Sequence, residues 1–368
     1  MSVLYNLFSR IVDYYAKLRD EVSSGWLEKN RSKLLETKLS LFVFTSSKVG
    51  VTGIILISVT LFLAIFGPFI AWEPYERYPL LLRPELAGKL PYPPCVGQCD
   101  GLPLWGTDHY GRDVLSLTIR GFRISLVMSV TIVAFSAILG IVLGLISGYF
   151  GGILDEIIMR FTDMMLAFPG LVLAIAFSLT LRLSLRNFMM SNPTFTGFVA
   201  AIFALDPSDA PNLANMLSVF FALILVWWPP YTRVVRGSVL TVRDQGFVEA
   251  ARALGLSTRK VLFRHVLPNI ASPLMVMLTF DLATATLSSA ALSFLGLGPQ
   301  PPIPDLGLII SQAGQYFPER SWWIVLEAGV ALLLISLGWN LVGDALRDVF
   351  DPRTRRSIEL KAKLKVGA

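Results

Sequence analysis

Residues 124–147 read ISLVMSVTIVAFSAILGIVLGLIS, 24 consecutive positions without a charge. A bilayer core about 30 Å thick is crossed by roughly 20 apolar helical residues. This stretch is therefore a membrane span, and it sets the frame for the rest of the chain. Five more segments have the same character: 49–71, 164–181, 215–232, 270–293 and 322–344. Two of them have an acid embedded in the apolar run, Asp281 and Glu327.

Composition agrees. Of 368 residues, 54% are hydrophobic and 16% charged, against about 25% charged in an ordinary soluble domain, and the mean hydropathy is +0.62. Such a chain has too much apolar surface for a soluble fold and too little polarity for disorder. The net charge of +6 marks topology, not nucleic acid. With the N-terminus placed in the cytoplasm, 23 of the 32 basic residues fall in inward-facing segments, and none falls within a span. Both termini are then cytoplasmic by the excess of Lys and Arg inside. The expected organisation is a cytoplasmic segment 1–48, an extracytoplasmic loop 72–123, a six-helix core to 344 and a basic cytoplasmic tail 345–368. No cleavable signal is expected, because the first apolar run starts late and is too long. In the segment 1–48, Tyr5, Leu7, Phe8, Ile11, Tyr14, Tyr15, Leu18 and Trp26 have helical spacing. An amphipathic helix lying along the inner leaflet and one packed on the rest of the chain both fit.

Motifs narrow the function by their absence. No G-x-x-x-x-G-K-[ST] loop occurs, so the chain has no P-loop for a nucleotide, and no H-E-x-x-H or G-x-S-x-G supports enzyme chemistry. With His109 and His265 as the two histidines, and Cys95 and Cys99 as the two cysteines, no metal site is expected. The spacing Cys95-x-x-x-Cys99 in an outside loop suits a small disulfide ring, with free thiols or a metal clip shared with a partner as alternatives.

The loop 233–268, RVVRGSVLTVRDQGFVEAARALGLSTRKVLFRHVLP, is charged yet patterned. Glu249 to Leu254 forms a short helix on which Ala250, Ala251 and Leu254 can share a face. Gly255 suits the left-handed residue that stops it. Ser257 caps a second helix running toward His265, before Pro268. A compact helix with small residues on one side is suited to a groove on a cytoplasmic partner.

The run from Glu249 to Pro268 resembles the EAA motif of ABC importer permeases, with Glu249, Ala250, Ala251, Gly255, Leu267 and Pro268 in register. Further stretches are GTDHYGRDVLS from Gly106, RISL from Arg123, GYFGGILDEIIMRFTDMMLAFPG from Gly148, LSFLGLGPQPP from Leu292 and NLVGDALRDVFDPR from Asn340. Together they are similar to the C-type permeases of the dipeptide, oligopeptide and nickel transporter family. The resemblance implies an all-α type I ABC importer permease in the cell (inner) membrane, importing dipeptides or oligopeptides. It implies a second, B-type permease, two ATPase subunits that bind ATP and Mg, and an extracytoplasmic solute-binding protein, with no cofactor in this chain. Glu249, Ala250, Ala251, Leu254, Gly255, Leu267 and Pro268 are the expected coupling residues. An oligosaccharide importer of the same family is the nearest alternative, nickel being disfavoured by the scarcity of ligands. An ion-coupled secondary transporter is the alternative from another class.

Asp281, about twelve residues into the fifth span, and Glu327, near the outer end of the sixth, are candidate channel-lining acids. The competing reading for each is a buried acid bonded to neighbouring Ser, Thr or backbone. Gly140, Gly144 and Gly148 form a small-residue face for close helix contact, and Pro169-Gly170 is expected to kink the third span. The 182–214 connection is expected to be a long loop that caps the channel or touches the solute-binding protein.

Overall fold

Small residues decide how the helices approach one another. A computed structural model describes residues 3–22, 25–72, 91–95, 104–314 and 320–350. Its helices are α1 (Val3–Val22), α2 (Trp26–Ser46), α3 (Lys48–Ile70), α4 (Val114–Phe150), α5 (Gly152–Leu166), α6 (Gly170–Ser191) and α7 (Pro193–Phe203). They continue with α8 (Ala210–Val242), α9 (Gly246–Ala253), α10 (Thr258–Val261), α11 (Leu267–Asn269), α12 (Ala271–Phe294), α13 (Leu306–Ala313) and α14 (Trp322–Phe350). Among the described residues, α3, α4, α6, α8 with its preceding turn, α12 and α14 are long and apolar enough to cross a membrane.

The buried positions of α3 are Gly50, Gly53, Ile57, Thr60, Ala64 and Gly67, spaced alternately by three and four. This seam lets α14 and α4 come close: a Cβ at Gly53 would lie 2.9 Å from Leu341 Cβ, and one at Gly67 2.8 Å from the Ile119 carbonyl. On α4, Gly140, Gly144 and Gly148 face Tyr231, Val235 and Val239 of α8. The expected small-residue face thus packs within the chain. Asp113 caps the start of α4, its carboxylate accepting from Ser116 N at 2.7 Å.

Four sequence expectations change. α4 begins at Val114, ten residues before the expected span edge, because Asp113 caps it inside the presumed loop. The third crossing is α6, at 170–191 and not 164–181: Pro169, with φ −58° and ψ 122°, separates two helices instead of kinking one. α6 therefore carries Arg182 and Arg186, and α4 and α8 in their full lengths take in Arg120, Arg123, Arg233 and Arg236, so the expectation that no span contains a basic residue does not hold. The fourth span does not end at 232, since α8 runs through Pro229 and Pro230 to Val242. Each proline loses a backbone donor and crowds the carbonyl four residues earlier, and the close packing of α8 on α4 offsets that cost. The 182–214 stretch is mostly helix, comprising the end of α6, α7 and a 3-10 turn at Pro207–Asp209.

At the N-terminal side, α1 and α2 form a hairpin around Gly25 (φ 84°), joined by Lys38–Asp13 at 2.6 Å. Val43 and Phe44 of α2 pack on Ala345 and Val349 of α14, while Ile11, Tyr14, Tyr15 and Leu18 of α1 stay exposed. At the opposite end of the bundle the Gly106 stretch is a structural knot. Asp108 and Arg112 form a buried pair at 2.7 Å, Arg112 also donates to the Pro302 carbonyl at 2.9 Å, and Trp323 Nε1 donates to the Thr107 carbonyl at 3.2 Å.

Candidate functional site

The patterned loop becomes a short helical arm joined to α8 by a turn at 243–245. α9 ends as a Schellman motif: Leu256 N donates to the Ala251 carbonyl at 3.2 Å, Gly255 N to the Arg252 carbonyl at 2.9 Å, and Gly255 adopts φ 74°. Glu249 lies in the first turn, where a carboxylate opposes the positive helix end. The chain then passes through α10, a π-helical turn at Leu262–Val266 and α11 before α12 starts. Pro268 thus sits inside this helical run and does not stop it, since the first residues of α11 need no donor from it.

The arm has two faces. Val248, Ala251, Val261, Leu262 and Val266 are buried together with Tyr231, Val235, Val239 and Val242 of α8. Phe247, Glu249, Ala250 and Leu254 face outward, with Leu254 82% exposed. The expectation that Ala250, Ala251 and Leu254 share a face is therefore corrected. Ala251 points into the membrane domain, and the outer stripe is Phe247, Ala250 and Leu254, at intervals of three and four. Arg252 braces the arm, its Nε donating to Tyr149 Oη at 3.1 Å with the guanidinium 4.8 Å from that ring.

A pair of ionic bolts ties α5 to the same end of α8, and sequence reading passed over them as turn and loop charges. Asp155 accepts from Arg236 Nε at 2.5 Å and from its terminal nitrogen at 2.6 Å, and also from Ser147 Oγ. Arg233 pairs with Asp163 at 2.6 Å. Asp155 and Asp163 lie eight residues apart on α5 and Arg233 and Arg236 three apart on α8, a mismatch in spacing that hides the pairing from sequence. The Arg236 hydrogen bonds hold the Asp155 carboxyl below its ordinary value despite the opposing effect of burial, and Ser147 and Arg243 act in the same direction as Arg236. A lowered native pKa gives stability that is present above the unfolded value, near ~4, and lost as pH falls through the native one. Asp155→Asn is expected to cost about 1–2 kcal/mol at neutral pH. In thermal melts its gap from the unsubstituted protein should close below about pH 4.

Asp281 and Glu327 are not brought together. Asp281 of α12 lies against the Tyr231 hydroxyl of α8. Neighbouring Thr279 and Thr284 bond to carbonyls of their own helix, so they do not neutralise Asp281. Glu327 of α14 lies against the Asp113 end of α4, both its carboxylate oxygens buried and without a hydrogen bond. Cys95 is disulfide-bonded, and Cys99 lies outside the described residues. No cluster of three or more His, Cys, Asp or Glu suited to a metal occurs among the described residues.

α6 is the least covered span: 11% of its most apolar stretch is buried, against 61% for α8. Sequence reading missed that it carries two arginines. Arg182 stands twelve residues beyond Gly170, about 18 Å along the helix. Its Nε donates to Asn215 Oδ1 of α8 at 2.6 Å. An arginine facing hydrocarbon costs about 2.5–3.5 kcal/mol on insertion scales. This side of α6 is therefore built to meet protein or water.

Residues 140–356 match the family model described as the binding-protein-dependent transport system inner membrane component. The chain is 35% identical over 316 residues to a di/tripeptide transport system permease protein, DppC, of Pseudomonas aeruginosa, covering 85% of this chain and 91% of that one. It is 34% identical over 320 residues to the dipeptide transport system permease protein DppC of Haemophilus influenzae, covering 86% and 94%. It is 30% identical over 335 residues to the oligopeptide transport system permease protein OppC of Bacillus subtilis, covering 91% and 95%.

Proposed function

Because this chain belongs to the family of binding-protein-dependent transport system inner membrane components, we propose that it forms half of the path by which an ABC importer takes up dipeptides or oligopeptides. The observation that carries this reading is α9, whose inner face is locked to α8 while Phe247, Ala250 and Leu254 are presented outward. Such an arm is a rigid lever. Whatever holds its outer stripe moves α8, and through the glycine contacts α4 moves with it.

The partners are those the family implies, and the geometry of this chain suits them. An ATPase pair on the cytoplasmic side receives α9, a second permease covers α6, and a solute-binding protein delivers cargo at the α13 end. ATP and Mg are held by the ATPase subunits, and this chain supplies no catalytic group. ATP binding drives the cycle only by favouring one of two global states, which here means closing the two α9 arms toward each other. α1, α2 and the end of α14 lie on the ATPase side in this reading.

Asp281 faces the path and takes the ammonium end of the peptide. Asp281→Asn is expected to lower initial uptake about tenfold, equivalent to about 1.4 kcal/mol, with the complex still assembled on a sizing column. Undiminished uptake by an assembled Asp281→Asn complex would remove the residue from the path. The whole reading is tested by reconstituting both permeases, the ATPases and the solute-binding protein in liposomes and measuring entry of a labelled dipeptide. Uptake should need ATP and the ATPase subunits. Uptake driven by an ion gradient without them would favour a secondary transporter, and uptake of an oligosaccharide with no peptide entry would favour the sugar reading.

A further inference from the structure

Between α6 and the start of α8 lies a cavity of about 280 Å³, lined by Leu179, Arg182, Leu183, Arg186, Pro211 and Asn215. The two arginines are one helical turn apart and project from the same side. Asn215 engages Nε of Arg182 alone. The terminal nitrogens of that guanidinium, and all of Arg186, make no hydrogen bond or ion pair among the described residues. Two cations are thus held side by side in an otherwise apolar span, with no carboxylate paired to either.

We propose that Arg182 and Arg186, with Asn215 orienting the first, form an anion site that takes the C-terminal carboxylate of the transported peptide. Guanidinium groups present planar, fork-shaped donors that match a carboxylate bidentately and stay charged at any working pH. Asn215 fixes one fork in advance, so less freedom is lost on binding. The cavity is at or below the lower limit of pockets for whole ligands, about 300 Å³. It fits the end of a peptide, with Leu179, Leu183 and Pro211 lining room for the last side chain, and leaves the remainder of the peptide in the path. Arg182 lies about 18 Å and Arg186 about 24 Å from the Gly170 end of α6. The site is therefore on the side from which cargo enters.

This inference rests on the peptide reading, and one experiment separates the two. The complete complex is reconstituted with the unsubstituted chain, Arg186→Gln, Arg182→Gln/Arg186→Gln, or the corresponding double Lys variant. Initial uptake is measured for labelled trialanine and for its C-terminal amide. The solute-binding protein is the same throughout, so its own preference cancels in each variant-to-unsubstituted ratio. The double Gln variant should lose uptake of the acid tenfold or more while its ratio for the amide stays within about twofold. The double Lys variant, which keeps the charge but not the fork, should recover part of that loss. Arg186→Gln breaks no contact and should alone cost the acid threefold or more. Equal uptake of the acid by all variants overturns the site. So does a parallel loss of acid and amide with dissociation of the two permeases, which would assign the arginines to a carboxylate on the second permease. If the unsubstituted complex imports neither peptide, the peptide reading itself fails.

Discussion

Phe247→Asp combined with Leu254→Asp is expected to release the ATPase subunits and reduce ATP-driven uptake by two orders of magnitude or more. Both side chains are exposed, at 40% and 82%, so the membrane domain should melt at its usual temperature. Apolar anchors at the centre of an interface are typically worth about 2 kcal/mol or more each. Two of them approach 4 kcal/mol, close to a thousandfold in affinity. Pull-down of the ATPase by the tagged permease gives the measurement. Val248→Asp serves as the contrast, because it places a charge in the buried face of α9 and should fail by destabilising the arm itself. Retention of the ATPase by the Phe247/Leu254 variant would show that the outer stripe is not where force enters.

Gly140→Val, and more so Gly140→Val with Gly144→Val, is expected to prevent correct packing of α4 on α8. A Cβ at Gly140 would strike Tyr231 Cβ and lie 2.5 Å from the Trp228 carbonyl. One at Gly144 would lie 2.6 Å from Val235 Cβ and 2.7 Å from the Thr232 carbonyl. These neighbours are backbone or first side-chain atoms and cannot swing away. Overpacking of this kind costs about 3 kcal/mol at each site, and the shift would carry into α9, which is packed on the same stretch of α8. Thermal unfolding in detergent should therefore fall well below that of Gly329→Val, since a Cβ at Gly329 of α14 meets nothing within 4 Å. Equal melting of the Gly140 and Gly329 variants would refute the close packing.

The membrane class, the six crossings and the short helix that Gly255 stops were legible because each rests on local chemistry. Hydrocarbon demands long apolar helices, and Gly255 in the left-handed region stops α9 wherever the arm is placed. The errors at the prolines share one cause. Pro169 and the Pro229-Pro230 pair look alike as helix breakers, yet one divides α5 from α6 while the other lies inside α8. Proline removes a donor in both cases, and what surrounds it decides whether the helix survives. At α8, Thr232 Oγ1 bonds the Gly140 carbonyl at 3.2 Å and the Trp228 carbonyl at 3.3 Å, and the flanking residues are clamped against α4. No such brace holds Pro169. The edge of the third span moved with it, and Arg182 and Arg186 moved from a presumed loop into a helix.

The sequence by itself determined the solvent, the number of crossings and the residues that shape α9, because apolar length, charge and glycine conformation act within a few neighbouring residues. The tertiary structure alone decided which face of α9 is offered outward, which acids of α5 bolt to α8, and that Arg182 meets Asn215 33 positions away. Those are pairings between separate helices. Periodicity states which side of a helix is apolar or polar, but only packing selects the helix that side will meet.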